Sequence, residues 1–141
     1  RLLEPVAKEP PVVPLFTPDS ELLWVLREDS LEVLELPGFR WRKPLPLPVP
    51  NQSGTGASIR TSAKRPHCLA VTGGLPQATF VVDLDQRTSV QVFPSRESSA
   101  NAGRFHKVLW FDGERLLLQR QRPHVIWAVN ADGSSCRQVL P

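Results

Sequence analysis

Apolar residues in this chain fall in short runs separated by turn residues, and the runs come in a recurring order. Asp19 precedes the strand-like run Leu22–Leu26, and Asp112, 93 positions later, precedes Leu116–Leu118. Carrying the same offset onward places Leu34 on Trp127 and Leu36 on Val129. A third copy is expected midway, and Cys68–Thr72 followed by Thr79-Phe-Val-Val-Asp-Leu-Asp85 fills the place, with Phe80 standing where Leu34 and Trp127 stand. Each copy closes on an apolar-proline pair, Leu45-Pro46, Phe93-Pro94 and Leu140-Pro141, 48 and 47 residues apart. A fixed internal period of this size marks stacked supersecondary units, each unable to bury its apolar face alone.

The runs read as strands. Fifteen prolines and eight glycines break up the chain, and no proline-free window keeps a helical apolar stripe. No apolar stretch is long enough to span a membrane. The expected fold class is therefore all-β, built of three repeated antiparallel units. The boundaries are a proline-rich tail or edge strand at 1–15, repeats at 16–46, 47–94 and 95–141, and a loop at 44–66. Within that loop, Pro44–Pro50 reads as stiff and extended, and Asn51–Ser58 as mobile, with Asn51-Gln52-Ser53 matching a glycosylation acceptor pattern. Trp24, Phe80, Phe111 and Trp127 are expected in the core. Position 1 is not Met and no signal peptide is visible, which reads as a processed product or an excised piece.

Charge changes the picture because it is laid out unevenly. Residues 1–35 carry three basic and eight acidic side chains, whereas 36–82 hold no carboxylate and six basic residues. Arg40, Trp41, Arg42, Lys43, Arg60, Lys64 and Arg65 are accordingly the candidate partner-binding set. Solvated surface is the first reading of these residues, an acidic protein partner the second and a nucleic acid the third. Trp41 stands outside the apolar rhythm and reads equally as an outer-strand residue or a partner contact.

Catalytic and metal motifs are not recognisable. Gly54-Thr-Gly56 lacks the lysine and strand-to-helix context of a phosphate cradle, and no nucleophile elbow or Cys-x-x-Cys occurs. His67, His106 and His124 have no carboxylate at a local spacing to orient them, so they read as surface or half-buried residues and not as a metal set. His67-Cys68 point to opposite faces of a strand and make a poor nucleophile pair. Cys68 and Cys136 read as two half-buried thiols, with a disulfide as the alternative. No cofactor and no catalytic residue is expected, and no compartment is indicated.

Asp112-Gly-Glu-Arg-Leu-Leu-Leu, Ile126-Trp-Ala-Val-Asn-Ala-Asp-Gly-Ser134 and Arg137-Gln-Val-Leu140 together resemble the WD40-like repeat of TolB-type and dipeptidyl-peptidase-type β-propellers. Thr17-Pro18-Asp19-Ser20 matches the opening turn of that repeat in the first copy, while Lys64-Arg65-Pro66 replaces it in the second. The resemblance implies three propeller-like antiparallel blades forming part of a larger or assembled β-propeller, one of six blades, and carries over no catalytic residue, since chemistry in that family resides in a separate hydrolase domain. Three blades are fewer than the four to eight of a closed propeller. The chain is a piece of a longer propeller, a unit completed by a second copy or another polypeptide, or a compact barrel or sandwich; completion by more than one polypeptide is favoured. The function expected is a non-enzymatic protein-interaction scaffold. The alternatives are a regulatory or substrate-gating propeller of a serine peptidase, and nucleic-acid binding through 40–65.

Overall fold

The computed structural model describes residues 13–26, 30–46, 58–73, 78–94, 106–120 and 125–140. They form thirteen strands in three antiparallel sheets, with no helix among the described residues. The first blade runs β1 (Val13–Phe16), β2 (Leu22–Leu26), β3 (Ser30–Glu35) and β4 (Arg40–Trp41), with β5 (Leu45–Pro46) also paired to β3. The second is β6 (Ser58–Thr61), β7 (Cys68–Gly73), β8 (Ala78–Asp83) and β9 (Thr88–Phe93). The third is β10 (His106–Phe111), β11 (Arg115–Arg120), β12 (Val125–Asn130) and β13 (Arg137–Leu140). Each is an up-and-down meander, as expected of a propeller blade.

The described strands add detail at two boundaries. Val13–Phe16 is a full member of the first sheet, and Ser58–Thr61 pairs with β7, so the loop expected at 44–66 contains strand at both ends. A short run needs only one paired neighbour to become a strand, and these have one. Residues 1–12, the acceptor pattern Asn51–Ser53, Gly54–Gly56 and His124 lie outside the described residues.

The pattern of burial identifies the middle blade. Every residue of β7 is buried, giving a continuous apolar run, because both faces of the second blade are covered. In β12 burial alternates residue by residue, the signature of a strand with one covered face. Two apolar layers result. Leu22, Trp24, Leu31, Val33 and Leu45 of the first blade pack against Leu69, Val71, Val82 and Leu84. Cys68, Ala70, Val81, Val92 and Phe93 pack against Val108, Phe111, Leu116, Leu118, Trp127 and Val129 of the third. Trp24, Phe111 and Trp127 are therefore core residues; Phe80 is half-buried. Cys68 and Cys136 are both free.

Turn chemistry sets the ends of the strands. Asp112 Oδ1 accepts from the backbone N–H of Glu114 and Arg115, and Asp132 Oδ1 accepts from that of Ser134. Gly113 and Gly133 follow these aspartates at positive φ, 93° and 87°, where a side chain is strained. In the first copy Asp19 accepts from Glu21 N–H and Ser20 takes the positive φ.

The repeat register needs one correction. Leu36 N–H donates to Glu21 O, Leu84 N–H to His67 O, and Ala131 N–H to Glu114 O, which makes these pairs equivalent. They stand fifteen residues apart in the first copy (36 − 21) and seventeen in the others (84 − 67, 131 − 114). Leu34 thus takes the place of Val82 and Val129, not of Phe80 and Trp127, and Leu36 takes that of Ala131, not of Val129. The preceding turn offsets the shorter hairpin: Phe16 pairs with Leu23, seven residues on, while Phe111 pairs with Leu116, five residues on. The two changes cancel between Phe16 and Leu34, but Asp19 and Asp112 stand 93 residues apart and the first and last closing pairs 95 (48 + 47), so the spacing records a two-residue slip between them.

Equivalent positions now separate by face. Leu69 and Leu116 are fully buried, as are Val82 and Val129, but their first-blade equivalents Leu23 and Leu34 are only half-buried. A Leu69→Ala or Leu116→Ala substitution is expected to cost about 2–5 kcal/mol of stability. Leu23→Ala is expected to cost well under half of that, with urea unfolding of the three variants as the check.

Candidate interaction faces and blade junctions

The residues singled out for partner binding turn out to be divided between two tasks. Arg40 lies on the short β4 beside β3 and Arg42 directly after that strand, and both reach Glu35, at 3.0 Å each. Arg42 also contacts Asp85 Oδ1 of the second blade at 3.0 Å. The bonds from Arg42 and Arg40 hold the Glu35 carboxyl below its usual range. Lys64 pairs with Glu114 of the third blade at 3.1 Å, and Arg65 donates to Gly113 O at 2.8 Å while facing Asp83 at 3.5 Å. Arg42, Lys64 and Arg65 are therefore fasteners between neighbouring blades. Lys43 and Arg60 are exposed, and the backbone oxygens of Lys43 and Pro44 accept from Arg87, another inter-blade tie.

Arg65 explains the deviant turn of the second copy. It occupies the place held by Asp19 and Asp112, where a carboxylate would cap its own turn. Instead its guanidinium reaches across to the third blade. A Cβ on Gly113 would lie 2.8 Å from Arg65 Cβ, so this glycine is required by close approach as well as by its φ.

His67 occupies the junction of the first two blades. Its Nδ1 lies 2.7 Å from Asp85 Oδ2, and its Nε2 lies 2.8 Å from Asp19 Oδ2 and 3.7 Å from Glu21 Oε2. None of these carboxylates is near His67 in sequence, which is why local spacing gave no hint of them. The partial burial of His67 works to lower its pKa, but the Asp85 hydrogen bond and the Asp85 and Asp19 charges prevail and raise it above 6.5. The Asp85 and Asp19 carboxyls, whose partial burial works the other way, are held below 3.8 by their hydrogen bonds and by the imidazolium. Asp19, Glu21 and His67 offer three ligand atoms within 4.8 Å of one another. Nδ1 is hydrogen-bonded to Asp85, while Nε2 lies against Asp19 and Glu21 as an ion pair without an aligned hydrogen bond.

The other histidine described is structural. His106 is buried in β10, with Nε2 2.7 Å from Thr79 Oγ1, itself 2.7 Å from Thr72 Oγ1. Phe93 packs edge-on against its ring at 4.8 Å. Cys68 is buried beside this layer, and burial together with Asp83 pushes its thiol up to about 11, a range in which the nucleophilic thiolate is scarce at neutral pH.

Among the described residues, no further sheet covers the outer sides of the first and third blades. On the outer side of the first blade, Phe16, Leu23, Leu34 and Trp41 stand directly opposite one another across β1, β2, β3 and β4. Phe16 is 61% and Trp41 54% exposed. Trp41 is thus an outer-face residue, and it is the one apolar member of the candidate set. On the outer side of the third blade, Trp110, Leu117 and Ala128 form the matching row, and Trp110 is 43% exposed. They line a depression of about 730 Å³ with Arg115, Arg137 and Val139. No candidate set read from composition included Trp110 or Phe16; the signal was their place in the repeat.

Among solved structures, oligopeptidase B from Leishmania major is similar to this chain with a TM-score of 0.60 and 11% identity, over 91% of this chain and 19% of that one. A putative TolB from Agrobacterium tumefaciens is similar with a TM-score of 0.42 and 14% identity, over 92% and 61%. The chain therefore spans about a fifth of the first protein's length. The first likeness shows a fold of the β-propeller type. No family model and no curated protein matches the sequence.

The His67 junction has a defined pH signature. A raised histidine pKa gives stability that is fully present below about pH 6.5 and lost as pH rises through the folded value. The lowered Asp19 and Asp85 values give stability present above the ordinary carboxylate range and lost as pH falls below it. The junction is therefore strongest between about pH 4 and 6.5. Urea unfolding is expected to show stability declining as pH rises above about 6.5, with a slope that His67→Gln removes. An unchanged slope in that variant would refute the assignment.

Proposed function

We infer that this chain is a non-catalytic β-propeller module whose end faces bind protein. The observation that carries the inference is the contrast at one repeat position. Leu69 and Leu116 are sealed under a neighbouring blade, while Leu23 is half-buried between an exposed Phe16 and, beyond Leu34, an exposed Trp41. Contiguous exposed apolar rows rimmed by polar residues are sites of association, and aromatic residues dominate the energetics of such sites. The basic segment supports nucleic-acid binding less well, because Arg42, Lys64 and Arg65 are engaged between blades. Phosphate contacts would have to compete with those bonds.

A second reading is favoured by the fold likeness to oligopeptidase B: a propeller portion that gates or regulates a peptidase. It uses the same faces and differs only in what lies beyond them.

A photo-crosslinking side chain placed at position 41 or 110 is expected to form adducts with protein in the native cell extract, and one placed at Arg60 is expected to form far fewer. A peptidase among the adducts supports the second reading. Adducts concentrated at Arg60, or recovered with nucleic acid and falling steeply with salt, would overturn the protein-binding proposal.

A further inference from the structure

The junction between the first two blades holds a set of donors that its ion pairs leave partly unused. Asp19 and Glu21 come from the turn between β1 and β2, and His67 immediately precedes β7. One ligand atom from each lies within 4.8 Å of the other two. On the ring this is the Nε2 side, which faces Asp19 Oδ2 at 2.8 Å and Glu21 Oε2 at 3.7 Å. Nε2 is buried, yet it has no aligned hydrogen-bond partner. A nitrogen aligned with neither carboxylate is poorly used as a proton donor, and well placed as one of three donors around a common centre.

Each donor is held from behind. His67 Nδ1 lies 2.7 Å from Asp85 Oδ2, and Asp85 Oδ1 accepts from Arg42. A carboxylate on Nδ1 fixes the tautomer that leaves the Nε2 lone pair free, and it makes that nitrogen a better metal ligand. Asp19 Oδ1 accepts from the Thr17 hydroxyl and from Glu21 N–H, which leaves Oδ2 to face the ring. Thr17 is buried, and its Oγ1 in turn accepts from Leu22 N–H. Glu21 is fixed through its backbone, where the carbonyl accepts from Leu36 N–H.

We propose that Asp19, Glu21 and His67 bind one divalent transition-metal ion of the zinc type, which staples the first blade to the second. The donor set selects the ion: one imidazole nitrogen and two carboxylate oxygens suit zinc, whereas magnesium and calcium take oxygen. Zinc bonds at tetrahedral angles put neighbouring ligand atoms about 3.3–3.6 Å apart, and the 2.8 and 3.7 Å observed bracket that spacing. Charge balances as well. Asp19 and Glu21 supply two negative charges against the ion's two positive ones, and the Asp85 charge is matched by Arg42. Asp19 and Glu21 are exposed, which gives the ion a path from solvent, and water takes the fourth position. On binding, the ion replaces the Nε2 proton, which leaves to solvent. Without it, the same residues form the ion pair whose pH dependence is described above.

Zinc titration of the chelator-treated 141-residue chain tests the proposal. Calorimetry is expected to show one ion per chain, and the unfolding temperature is expected to rise with zinc concentration. In nitrogen-resolved NMR of the imidazole rings, zinc is expected to shift His67 Nε2 while Nδ1 keeps its proton. His67→Gln is expected to abolish binding. Asp85→Asn, which leaves all three ligands in place, is expected to weaken it about 10–100-fold. Glu21→Gln is expected to weaken it at least as much. The Glu21 side chain is exposed, so this variant serves if changes at His67 or Asp85 unfold the chain. No binding by the wild-type chain, unchanged affinity in Glu21→Gln and His67→Gln, a shift centred on another histidine, or displacement of zinc by excess magnesium would each overturn the proposal.

Discussion

A thin antiparallel sheet with apolar residues on both sides is stable only when another layer covers each side. That requirement governs this molecule. At roughly 25 cal/mol per Å² of apolar surface removed from water, sealing a leucine on a blade face contributes on the order of 1.5–3 kcal/mol. An ion pair at an exposed rim is worth about 1 kcal/mol or less. The apolar layers between blades therefore hold the stack together, and the polar ties at the junctions decide how neighbouring blades are aligned. Arg65 shows the division well. It gives up a local turn cap to reach Gly113 of the next blade, and it contributes alignment where Ala70 and Leu116 contribute adhesion.

The same requirement connects architecture to function. The second blade has neighbours on both sides, and its strand Cys68–Gly73 is buried throughout. The first and third blades each have one neighbour, and each presents the row of side chains that a further neighbour would cover. Phe16 and Trp41 on one end and Trp110 on the other are large aromatic groups in water. Their exposure follows from their position in the repeat; it is not a local accident of a loop. The titratable side chains at the junctions have structural partners: the His67 imidazole lies between carboxylates, His106 is tied into a buried threonine chain, and the Cys68 thiol is pushed well above neutral.

Much of the architecture was legible in the sequence. Strand positions follow from short apolar runs, and the blades follow from the recurrence of Asp19 and Asp112 and of the closing proline pairs. The register of Leu34 was legible only in part: the 93-residue spacing of Asp19 and Asp112 against the 95 of the closing pairs shows two residues missing from the first copy, in the hairpin or after it. Hydrogen bonding between Glu21 and Leu36 was needed to separate them. The site was less legible than the fold. Composition pointed to a basic segment, and most of that segment is spent inside the molecule. The carboxylates around His67 come from residues 19, 21 and 85, and only the stacking of blades brings them together. Trp41 stands outside the apolar rhythm, but composition could not show that Phe16, Leu23 and Leu34 share its face.

Everything rests on which side of the first blade meets the second, so the most direct measurement is of that contact in solution. Nuclear Overhauser effects on a methyl-labelled chain distinguish the two sides, since Val33 and Leu34 are adjacent on one strand and point opposite ways. Contacts are predicted from the Val33 methyls and the Trp24 indole to Leu69, Val71 and Val82, with none from Leu34 to those residues. Contacts from Leu34 or Leu23 to Leu69 and Val82, with Val33 silent, would contradict the head-to-tail stacking and the faces assigned from it.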